Sequence, residues 1–335
     1  MPGHSIIVLG ASAGGLEPLR QILSRLPPDL PASLFVVVHL PSHTKVDLAG
    51  GLRGSCRLPV GWANDGESIR EGRVYLAPQD RHLLVKRDHV RVLFGARENR
   101  VRPAIDVLFR SAAVEHRSRV VGVVLSGHQD DGAAGLSIIK ECGGTTIVQN
   151  PTQAEVASMP REAIARTETI DFRLDAADIA GVLCQLARAE ARSAPAVPDH
   201  IRAEAAVVEY TMTREEPSPS VGTETVLTCP DCGGTLWELR DGVHRRFRCR
   251  VGHAFSSSGL LEAMDNEIEQ ALWVAARTLR ERADLLKKLA ASSRPQGPLA
   301  LGYEQRAEEV VQQGRLLEDV LTSILTHRNF EETGR

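Results

Sequence analysis

The stretch "IIVLGASAGG", residues 6–15, decides the predicted fold. Its first half carries no charge and is rich in Ile and Val, which is typical of a strand buried on both faces of a parallel sheet. Its second half consists of small residues around Ser12, so the chain can turn sharply from this strand into a helix. Three uses of the turn fit these residues: a nucleophile elbow for Ser12, a phosphate-binding loop, or a compact structural turn.

Other apolar runs extend the pattern along the first part of the chain. Three of them predict further buried strands: "SLFVVVH" (33–39), "VVGVVLSG" (120–127) and "GGTTIVQN" (143–150). A helix with one apolar face is predicted over residues 16–26, before two prolines stop it. Residues 73–78 and 82–94 are predicted as strands joined by tight turns, forming an antiparallel edge. Alternating strands and helices predict an α/β fold for residues 1–190, with a doubly wound, mostly parallel sheet and helices on both of its faces.

The composition limits the classes of protein to which the chain can belong. Its 335 residues are 42% hydrophobic and 25% charged, which is enough apolar material for a sizeable core. The net charge of −3 gives no general reason to expect nucleic-acid binding. No run reaches the roughly 18 consecutive apolar residues of a membrane helix, and the N-terminus lacks the basic start of a signal peptide. We therefore expect a cytoplasmic protein that binds no nucleic acid and does not insert into membranes.

The character of the chain changes beyond residue 190. Residues 191–225 are rich in Pro, Ser and Glu and have no long apolar period, which predicts a linker with one ordered patch near "AAVVEYTM" (205–212). Residues 226–256 form a small module with clustered cysteines. Residues 257–335 contain two helical stretches, each with an apolar stripe, and predict a helical hairpin. The stripes are expected to pack on each other or on the main domain, with partner binding or dimerisation as the alternative.

Two ligand pairs in the module have the spacing of a zinc ribbon. Cys229 and Cys232 form the first pair, and Cys249 and His253 form the second. Each pair would close a knuckle, and the strands between them would bring the four ligands together around zinc. His244 competes as the fourth ligand, although its spacing to Cys249 fits less well. A closed site of four protein ligands predicts a structural zinc rather than a catalytic one, and metal-free thiols are the alternative.

Four arginines lie on the predicted hairpin of this module: Arg245, Arg246, Arg248 and Arg250. A basic cluster of this kind can contact nucleic acid or an acidic protein surface. A solvated hairpin face explains it more simply, and we favour that interpretation.

Polar residues follow the predicted strands at one edge of the sheet. Ser12 follows the first strand, His39 ends the second, and an acidic glycine-rich loop follows the strand at 120–127. Because the carboxyl ends of parallel strands share one edge, these side chains are expected to meet there. Asp130 or Asp131 could hold the tautomer of His39, or could cap the next helix. The order Ser–His–Asp differs from that of α/β-hydrolases, and Ser12 replaces a glycine of the dinucleotide fingerprint, so both of those folds match poorly.

Six ordered motifs resemble the catalytic domain of the CheB family, the chemotaxis-receptor glutamate methylesterases. They are "GASAGG", "VVHLPS", "VYLAPQDRHLLV", "RPAIDVLFRSAA", "LSGHQDDGAAGL" and "VASMPREAI". Each motif alone is weak, but the six in this order make the resemblance specific. It runs from about residue 4 to residue 188, which is over half of the chain.

The resemblance implies a role for each site residue. Ser12 would be the nucleophile and His39 the general base and acid. Asp131 would be the orienting carboxylate, because it directly precedes a glycine as the family's aspartate does. Backbone amides at Ala13 and His128 would form the oxyanion hole, and catalysis would need no cofactor.

The resemblance also implies a substrate and partners. Family members hydrolyse γ-glutamyl methyl esters in the cytoplasmic helical region of methyl-accepting receptors, and they can deamidate receptor glutamines. We therefore expect such a receptor as partner, with other chemotaxis signalling proteins as further partners. Two alternatives stay open: a catalytically idle CheB-like scaffold that binds signalling partners, and an esterase for another small ester. Family members commonly carry an N-terminal receiver domain, and we expect none here because the first predicted strand begins at Ser5.

Overall fold

The computed structural model describes residues 5–40, 47–191, 193–213, 222–241 and 244–333. Its strands, in chain order, are β1 (Ile6–Ala11), β2 (Ser33–Val38), β3 (Val60–Trp62), β4 (Val74–Leu76), β5 (His82–Val85), β6 (Val90–Leu93), β7 (Val120–Val124), β8 (Thr145–Gln149), β9 (Phe172–Leu174), β10 (Thr223–Thr228), β11 (Thr235–Asp241), β12 (His244–Cys249) and β13 (Ala254–Ser256). Its α-helices are α1 (Leu16–Arg25), α2 (Leu48–Arg53), α3 (Ile105–His116), α4 (Ala133–Glu141), α5 (Ser158–Arg166), α6 (Ala176–Arg188), α7 (Asp199–Thr213), α8 (Ser257–Ser292) and α9 (Pro298–Thr333).

A seven-stranded sheet, in the order β3-β4-β2-β1-β7-β8-β9, lies at the centre of the first part of the chain. All of its neighbouring strands pair in parallel. The side chains of β1 alternate between two apolar cores, with Ile6 and Val8 in one and Ile7 and Leu9 in the other. The first core also contains residues of α3, α4 and α5, and the second contains residues of α1 and α6. The predicted doubly wound sheet with helices on both faces is therefore confirmed.

The prediction of an antiparallel edge is wrong for residues 73–78. Strand β4 lies inside the parallel sheet, paired with β2 and β3, and is not part of an antiparallel edge. The antiparallel pairing holds only within 82–94, where β5 and β6 form a separate hairpin. An apolar run specifies a buried strand but not its direction, which here depends on pairing with the distant strand β2.

The segment 191–225, predicted as a linker, contains helix α7. Ile201 of this helix joins the apolar core that also holds α3. Glu204 is buried and accepts hydrogen bonds from Arg110 (3.0 Å) and Arg246 (2.6 Å). The predicted ordered patch at 205–212 lies within this helix. The burial of Glu204 was not predicted, because the partners that compensate its charge are distant in the sequence.

The chain divides into two compact units, Met1–Gly259 and Leu260–Arg335. The cysteine-containing module belongs to the first unit. It is a four-stranded antiparallel sheet in the order β10-β11-β12-β13. Its two ligand pairs lie at the ends of β11 and β12, the central hairpin of this sheet. We call it the Cys/His module.

Two arginines of the Cys/His module correct the interpretation of a solvated face, because Arg246 and Arg248 are buried. Together with Arg110 of α3 they surround the buried carboxylates of Glu98 and Glu204, and we call these five residues the buried arginine network. Arg248 lies 2.8 Å from Glu98 and 3.1 Å from Glu204. Arg110 lies 2.7 Å from Glu98 and 3.0 Å from Glu204. The other two arginines of the predicted hairpin are exposed.

The second unit consists of two long helices that pack antiparallel. Four residues form its buried centre: Ala283, Leu286, Ala307 and Val310. Arg280 of α8 pairs with Glu318 of α9 at 2.5 Å on its exposed side. Leu286 and Val310 of the predicted stripes thus pack together in this centre, whereas Leu261, Ile268 and Leu289 of the first stripe are exposed. Among the described residues, no helix combines the length and the apolar character needed to cross a membrane.

Candidate active site

Ser12 and His39 lie at the carboxyl ends of neighbouring strands. The backbone N–H of His39 donates to the carbonyl of Ala11 (3.0 Å), and the backbone N–H of Ser12 donates to the carbonyl of Ser126 (3.0 Å). Ser12 therefore extends β1 between the ends of β2 and β7. Gly14, with a φ of +67°, lets the chain turn back into α1. The predicted meeting of these residues at one sheet edge follows from the order of the strands.

Asp131 lies in the loop after β7 and faces His39. Its Oδ2 is 3.0 Å from His39 Nε2, a distance typical of an ion pair. The ring is close but not aligned, because Nε2 makes no hydrogen bond of good geometry with the described residues. Three N–H groups hold the carboxylate: Ile105 N (2.6 Å), Asp106 N (3.2 Å) and Asn99 Nδ2 (3.0 Å). Since Ile105 and Asp106 open α3, the negative charge of Asp131 lies at the positive end of that helix.

The neighbouring aspartate has different contacts. Asp130 is bound by Arg166 (2.6 Å) and by the hydroxyl of Ser258 (2.9 Å). Neither aspartate caps the following helix, because α4 begins without a side-chain hydrogen bond at its N-cap. Of the two candidates, Asp131 is the one that faces His39.

A second buried carboxylate, Asp106, lies beside Asp131. Its Oδ1 accepts hydrogen bonds from the backbone N–H groups of Gly132 (3.0 Å) and Gly135 (2.7 Å). These bonds attach the loop that contains Asp131 to the first turn of α3. Burial, together with the nearby charge of Asp131, raises the pKa of Asp106 to about 7.

The loop at Gly127 lies against Ser12. A Cβ atom at Gly127 would stand 2.7 Å from Ser12 Cβ, so only glycine allows this approach. The backbone N–H of Met159 donates to the carbonyl of Gly127 (2.9 Å) and holds the loop from α5. The backbone N–H groups of Ala13 and His128 donate to no carbonyl of the described residues. Both are therefore available as donors to negative charge that develops near Ser12.

Asn99 belongs to the site and was not predicted from the sequence. Its Nδ2 donates to Asp131 and also to Asp106 Oδ2 (2.8 Å). The residue has a φ of +50°, and Asn is one of the few residues that adopt this region readily. It lies just before the motif "RPAID", and no local pattern there identifies the two carboxylates that it bonds.

The predicted metal ligands also come together. The ligand atoms of Cys229, Cys232, Cys249 and His253 all lie within 4.8 Å of one another. Cys232 Sγ and Cys249 Sγ are 3.6 Å apart, and His253 Nδ1 is 3.5 Å from Cys249 Sγ. Tetrahedral zinc, with Zn–S of about 2.3 Å and Zn–N of about 2.0 Å, requires ligand atoms roughly 3.5–3.8 Å apart. These two separations have that spacing, as does the 3.8 Å between Cys229 Sγ and His253 Nδ1. The side chain of His244 lies outside the described residues.

Hydrogen bonding within the cluster favours the ligand form of one cysteine. Hydrogen bonds from Cys229 and from His253 lower the pKa of the Cys249 thiol. The thiolate is the form of cysteine that binds a metal ion. The hydrogen bond between Cys229 and Cys249 also raises the pKa of the Cys229 thiol, so the pair keeps one thiol and one thiolate.

The fold and the site define a doubly wound α/β protein with Ser, His and Asp at the ends of three adjacent parallel strands. The family model for CheB methylesterase matches residues 7–183. The chain therefore belongs to the CheB methylesterase family.

Individual relatives agree with this assignment. A putative protein-glutamate methylesterase/protein-glutamine glutaminase of Leptospira interrogans is 38% identical over 184 residues, which cover 55% of this chain and 95% of the relative. Protein-glutamate methylesterase/protein-glutamine glutaminase 5 of Anaeromyxobacter dehalogenans is 43% identical over 177 residues, or 52% of this chain and 46% of the relative. The crystal structure of the Thermotoga maritima CheB methylesterase catalytic domain aligns with a TM-score of 0.53 and 34% identity, covering 56% of this chain and 100% of that domain.

Proposed function

We propose that the chain is a protein-glutamate methylesterase, a serine hydrolase that removes methyl esters from glutamate side chains of chemotaxis-type receptors. The observation that carries the proposal is the 3.0 Å separation of His39 Nε2 from Asp131 Oδ2, at the sheet edge where Ser12 follows the neighbouring strand. Membership of the CheB family supports it, as do relatives named protein-glutamate methylesterase/protein-glutamine glutaminase.

The first chemical step forms an acyl-enzyme. Ser12 Oγ attacks the γ-carbonyl carbon of the glutamyl methyl ester while His39 takes its proton. Because Nε2 faces Asp131, Nδ1 is the ring nitrogen that remains to accept this proton. Asp131 stabilises the imidazolium that forms, and the N–H groups of Ala13 and His128 stabilise the oxyanion. When the carbon–oxygen bond of the ester breaks, His39 returns the proton to the leaving methoxy group and methanol departs.

The second step releases the product. A water molecule gives a proton to His39 and attacks the acyl carbon, and the bond to Ser12 Oγ breaks as Ser12 regains its proton. The receptor side chain leaves as glutamate. A receptor glutamine would follow the same course with ammonia as the leaving group, so the same site would also deamidate glutamine.

The test is release of methanol from receptor membranes that carry labelled methyl esters. We expect Ser12→Ala to lower the rate by roughly 10³-fold or more, because the acyl-enzyme can no longer form. Ser24→Ala is the matched control, since Ser24 lies on α1 and donates only to a carbonyl of its own helix. Full activity of Ser12→Ala, with its fold unchanged by circular dichroism, would refute the mechanism.

The same experiment separates the two alternatives. Cleavage of a small aryl ester without cleavage of the receptor ester would identify an esterase for another small ester. A folded wild-type protein that cleaves neither would identify a CheB-like scaffold. Cleavage of the receptor ester that depends on Ser12 supports the proposal.

We also propose that Cys229, Cys232, Cys249 and His253 bind one zinc ion with a structural role. The ligand spacing supports zinc, and four protein ligands complete a tetrahedron, so no position is left for a substrate. On this proposal zinc stabilises the Cys/His module and takes no part in ester hydrolysis, which needs no cofactor.

Metal analysis of the purified full-length protein tests the zinc proposal. We expect about one zinc per chain, as one tetrahedral site implies, and loss of this zinc in Cys232→Ser. Cys56→Ser is the matched control, because Cys56 lies outside the cluster. A wild-type protein that folds fully without any metal would contradict the proposal.

The proposed substrate also sets the partner and the location. The chain would act in the cytoplasm on the cytoplasmic helical region of a methyl-accepting receptor, alongside other chemotaxis signalling proteins. Co-sedimentation of the inactive Ser12→Ala protein with methylated receptor vesicles tests this, with vesicles that lack the receptor as the control. Binding to both kinds of vesicle alike would contradict it.

A further inference from the structure

Asn99 connects the two carboxylates of the active site. Its Nδ2 lies 2.8 Å from Asp106 Oδ2 and 3.0 Å from Asp131 Oδ1, so one amide group donates a hydrogen bond to each. The other hydrogen-bond donors to Asp131 are backbone N–H groups of α3, which move only if the helix moves. Asn99 instead lies on a loop, so its contribution depends on what holds that loop.

The backbone at Asn99 is a tight turn in an uncommon conformation. The N–H of Val101 donates to the carbonyl of Glu98 (3.0 Å), which closes the turn. The two residues inside it, Asn99 and Arg100, have φ values of +50° and +64°. Asn adopts this left-handed conformation readily, but Arg100 is neither Gly nor Asn and keeps it only where its surroundings fix the turn.

Strand β13 of the Cys/His module provides part of this support. The carbonyl of Ala254 accepts a hydrogen bond from the N–H of Asn99 (2.7 Å), and the N–H of Ala254 donates to the carbonyl of Arg97 (3.3 Å). Ala254 directly follows His253, one of the four proposed zinc ligands. The turn at Asn99 is therefore bonded to the residue next to a metal ligand.

Strand β12, which pairs with β13 in the same module, contacts the residue before Asn99. Arg248 binds the carboxylate of Glu98 at 2.8 Å, and Glu98 directly precedes Asn99. Arg248 in turn directly precedes Cys249, another proposed ligand. Both contacts therefore come from residues next to proposed metal ligands, one on β13 and one on β12.

We propose that Asn99 is a positioning residue for Asp131, and that metal binding by the Cys/His module keeps Asn99 in position through β13. The proposal rests on the proposed hydrolase role of Ser12, His39 and Asp131. An orienting carboxylate must stay fixed while the histidine gains and loses a proton, and displacements of about 1 Å can cost on the order of 100-fold in rate. Without metal, the four ligands no longer link β12 to the first knuckle, so β13 loosens and the turn relaxes.

The first test removes the side chain of Asn99 but keeps its backbone. Glycine adopts the same left-handed conformation and retains the N–H that donates to Ala254, so Asn99→Gly removes only the amide group. The readout is the rate at which a fluorophosphonate labels Ser12, in which the Oγ–phosphorus bond forms, fluoride leaves and His39 takes the proton. We expect this rate to fall by roughly tenfold to 100-fold. The same fall is expected in kcat for ester hydrolysis, with KM little changed.

The matched control is Gln296→Gly. Gln296 is an exposed residue of the second unit with a φ of +56°, so the substitution makes the same change in the same backbone conformation. We expect the labelling rate of this variant to equal that of the wild type. An unchanged labelling rate in Asn99→Gly would overturn the positioning role, as would a wild-type protein whose Ser12 is not labelled.

The second test measures hydrogen exchange at the amide of Asn99 in the full chain, with and without zinc. We expect protection of this amide in the zinc-loaded protein and at least tenfold faster exchange after chelation or in Cys232→Ser, because its bond to Ala254 weakens. Cys184→Ser, which removes a thiol outside the cluster, is expected to keep the wild-type rate. Equal protection of Asn99 with and without zinc would overturn the link between the module and the turn.

These readouts separate failure of this proposal from failure of the proposed function. Fluorophosphonate labelling and hydrogen exchange need no receptor ester. If the protein cleaves no receptor ester but Ser12 is labelled in a manner that depends on Asn99 and zinc, the substrate is wrong and the positioning role stands. If receptor ester is cleaved equally by the wild type and by Asn99→Gly, the function stands and the positioning role falls.

Discussion

Two pairs of buried carboxylates lie in the first unit and are stabilised in opposite ways. Asp106 and Asp131 accept hydrogen bonds from neutral N–H groups of the backbone and of Asn99. Glu98 and Glu204 are surrounded by the guanidinium groups of the buried arginine network. The pKa values of Asp106 and Glu98 move apart accordingly. Burial and a neighbouring carboxylate raise the pKa of Asp106 to about 7, whereas the arginines overcome burial and lower the pKa of Glu98 to about 2.

The difference shows how one chemical group serves two purposes. A carboxylate that supports a histidine must remain free to stabilise the imidazolium, and a guanidinium at Asp131 would compete with His39 for it. Neutral N–H donors hold Asp131 without neutralising its charge. The glutamates have no such task, so complete pairing with arginines lets them join α3, α7 and the Cys/His module.

Replacing Asp131, the proposed orienting carboxylate, should have the largest effect. We expect Asp131→Asn to lower the rate of ester hydrolysis by roughly 10³- to 10⁴-fold, because the neutral side chain no longer stabilises the His39 imidazolium. Methanol release from labelled receptor membranes measures this. Asp130→Asn is the matched control, since Asp130 contacts Arg166 and Ser258 instead. If the two variants lost equal activity, the distinction between the neighbouring aspartates would be wrong.

Removing one charge from the buried arginine network should cost stability instead. We expect Glu204→Gln to lower the free energy of unfolding by about 3–5 kcal/mol, because buried guanidinium groups lose their counter-charge. Urea unfolding of the first unit measures this loss. Glu209→Gln on the same helix is the control, since Glu209 pairs with Lys86 at a half-buried position and should cost less than about 1 kcal/mol. Equal losses would mean that the network contributes no more than an ordinary ion pair.

Acid should weaken the same network. The pKa of Glu98 determines the direction in which stability changes with pH. Burial alone would raise this pKa, but Arg110 and Arg248 lower it from 4.5 to about 2. Because the folded value is depressed, the stabilisation is present above pH 4.5 and is lost as the pH falls toward about 2. The shift corresponds to about 3 kcal/mol.

Comparison of the wild type with Glu98→Gln isolates this contribution. Glutamine does not titrate, so the difference in unfolding free energy between the two proteins should shrink by about 3 kcal/mol on acidification from near neutral pH to about pH 2. A difference that stays constant over this range would show that Glu98 has an ordinary pKa in the folded protein.

The two carboxylate pairs also show what the sequence could predict. Ser12, His39 and Asp131 follow uncharged strands, and the edge at which such strands end is fixed once the sheet is parallel, so their meeting was predictable. The buried arginine network was not, because Arg246 and Arg248 alternate along a hairpin as solvent-exposed residues do. Their counter-charge, Glu204, lies in a segment whose composition predicts a linker. Buried charge is recognisable only once both partners are known.

The direction of β4 and the role of Asn99 escaped prediction for a related reason. An apolar run shows that a strand is buried, but the neighbour that sets its direction lies elsewhere in the chain. An asparagine before a helix predicts a turn, but the carboxylates that it bonds are contributed by α3 and by the loop after β7. Local features and the shared edge of the parallel strands were thus predictable, whereas the direction of β4 and the partners of Asn99, which depend on other segments, were not.

The smallest effect is expected at an arginine–glutamate ion pair that is exposed to water. Arg280 and Glu318 join the two helices of the second unit at 2.5 Å, yet their side chains remain 61% and 44% exposed. Water solvates both groups well in the unfolded chain and in the folded one, so we expect Arg280→Ala to change the free energy of unfolding by less than about 1 kcal/mol. Thermal unfolding followed by circular dichroism measures this, and Ala283→Ser in the buried centre of the hairpin should destabilise more. The Arg280–Glu318 and Arg246–Glu204 contacts have nearly the same geometry and differ in their access to water. If Arg280→Ala cost as much stability as Glu204→Gln, burial would therefore not be what distinguishes the buried arginine network from an ordinary ion pair.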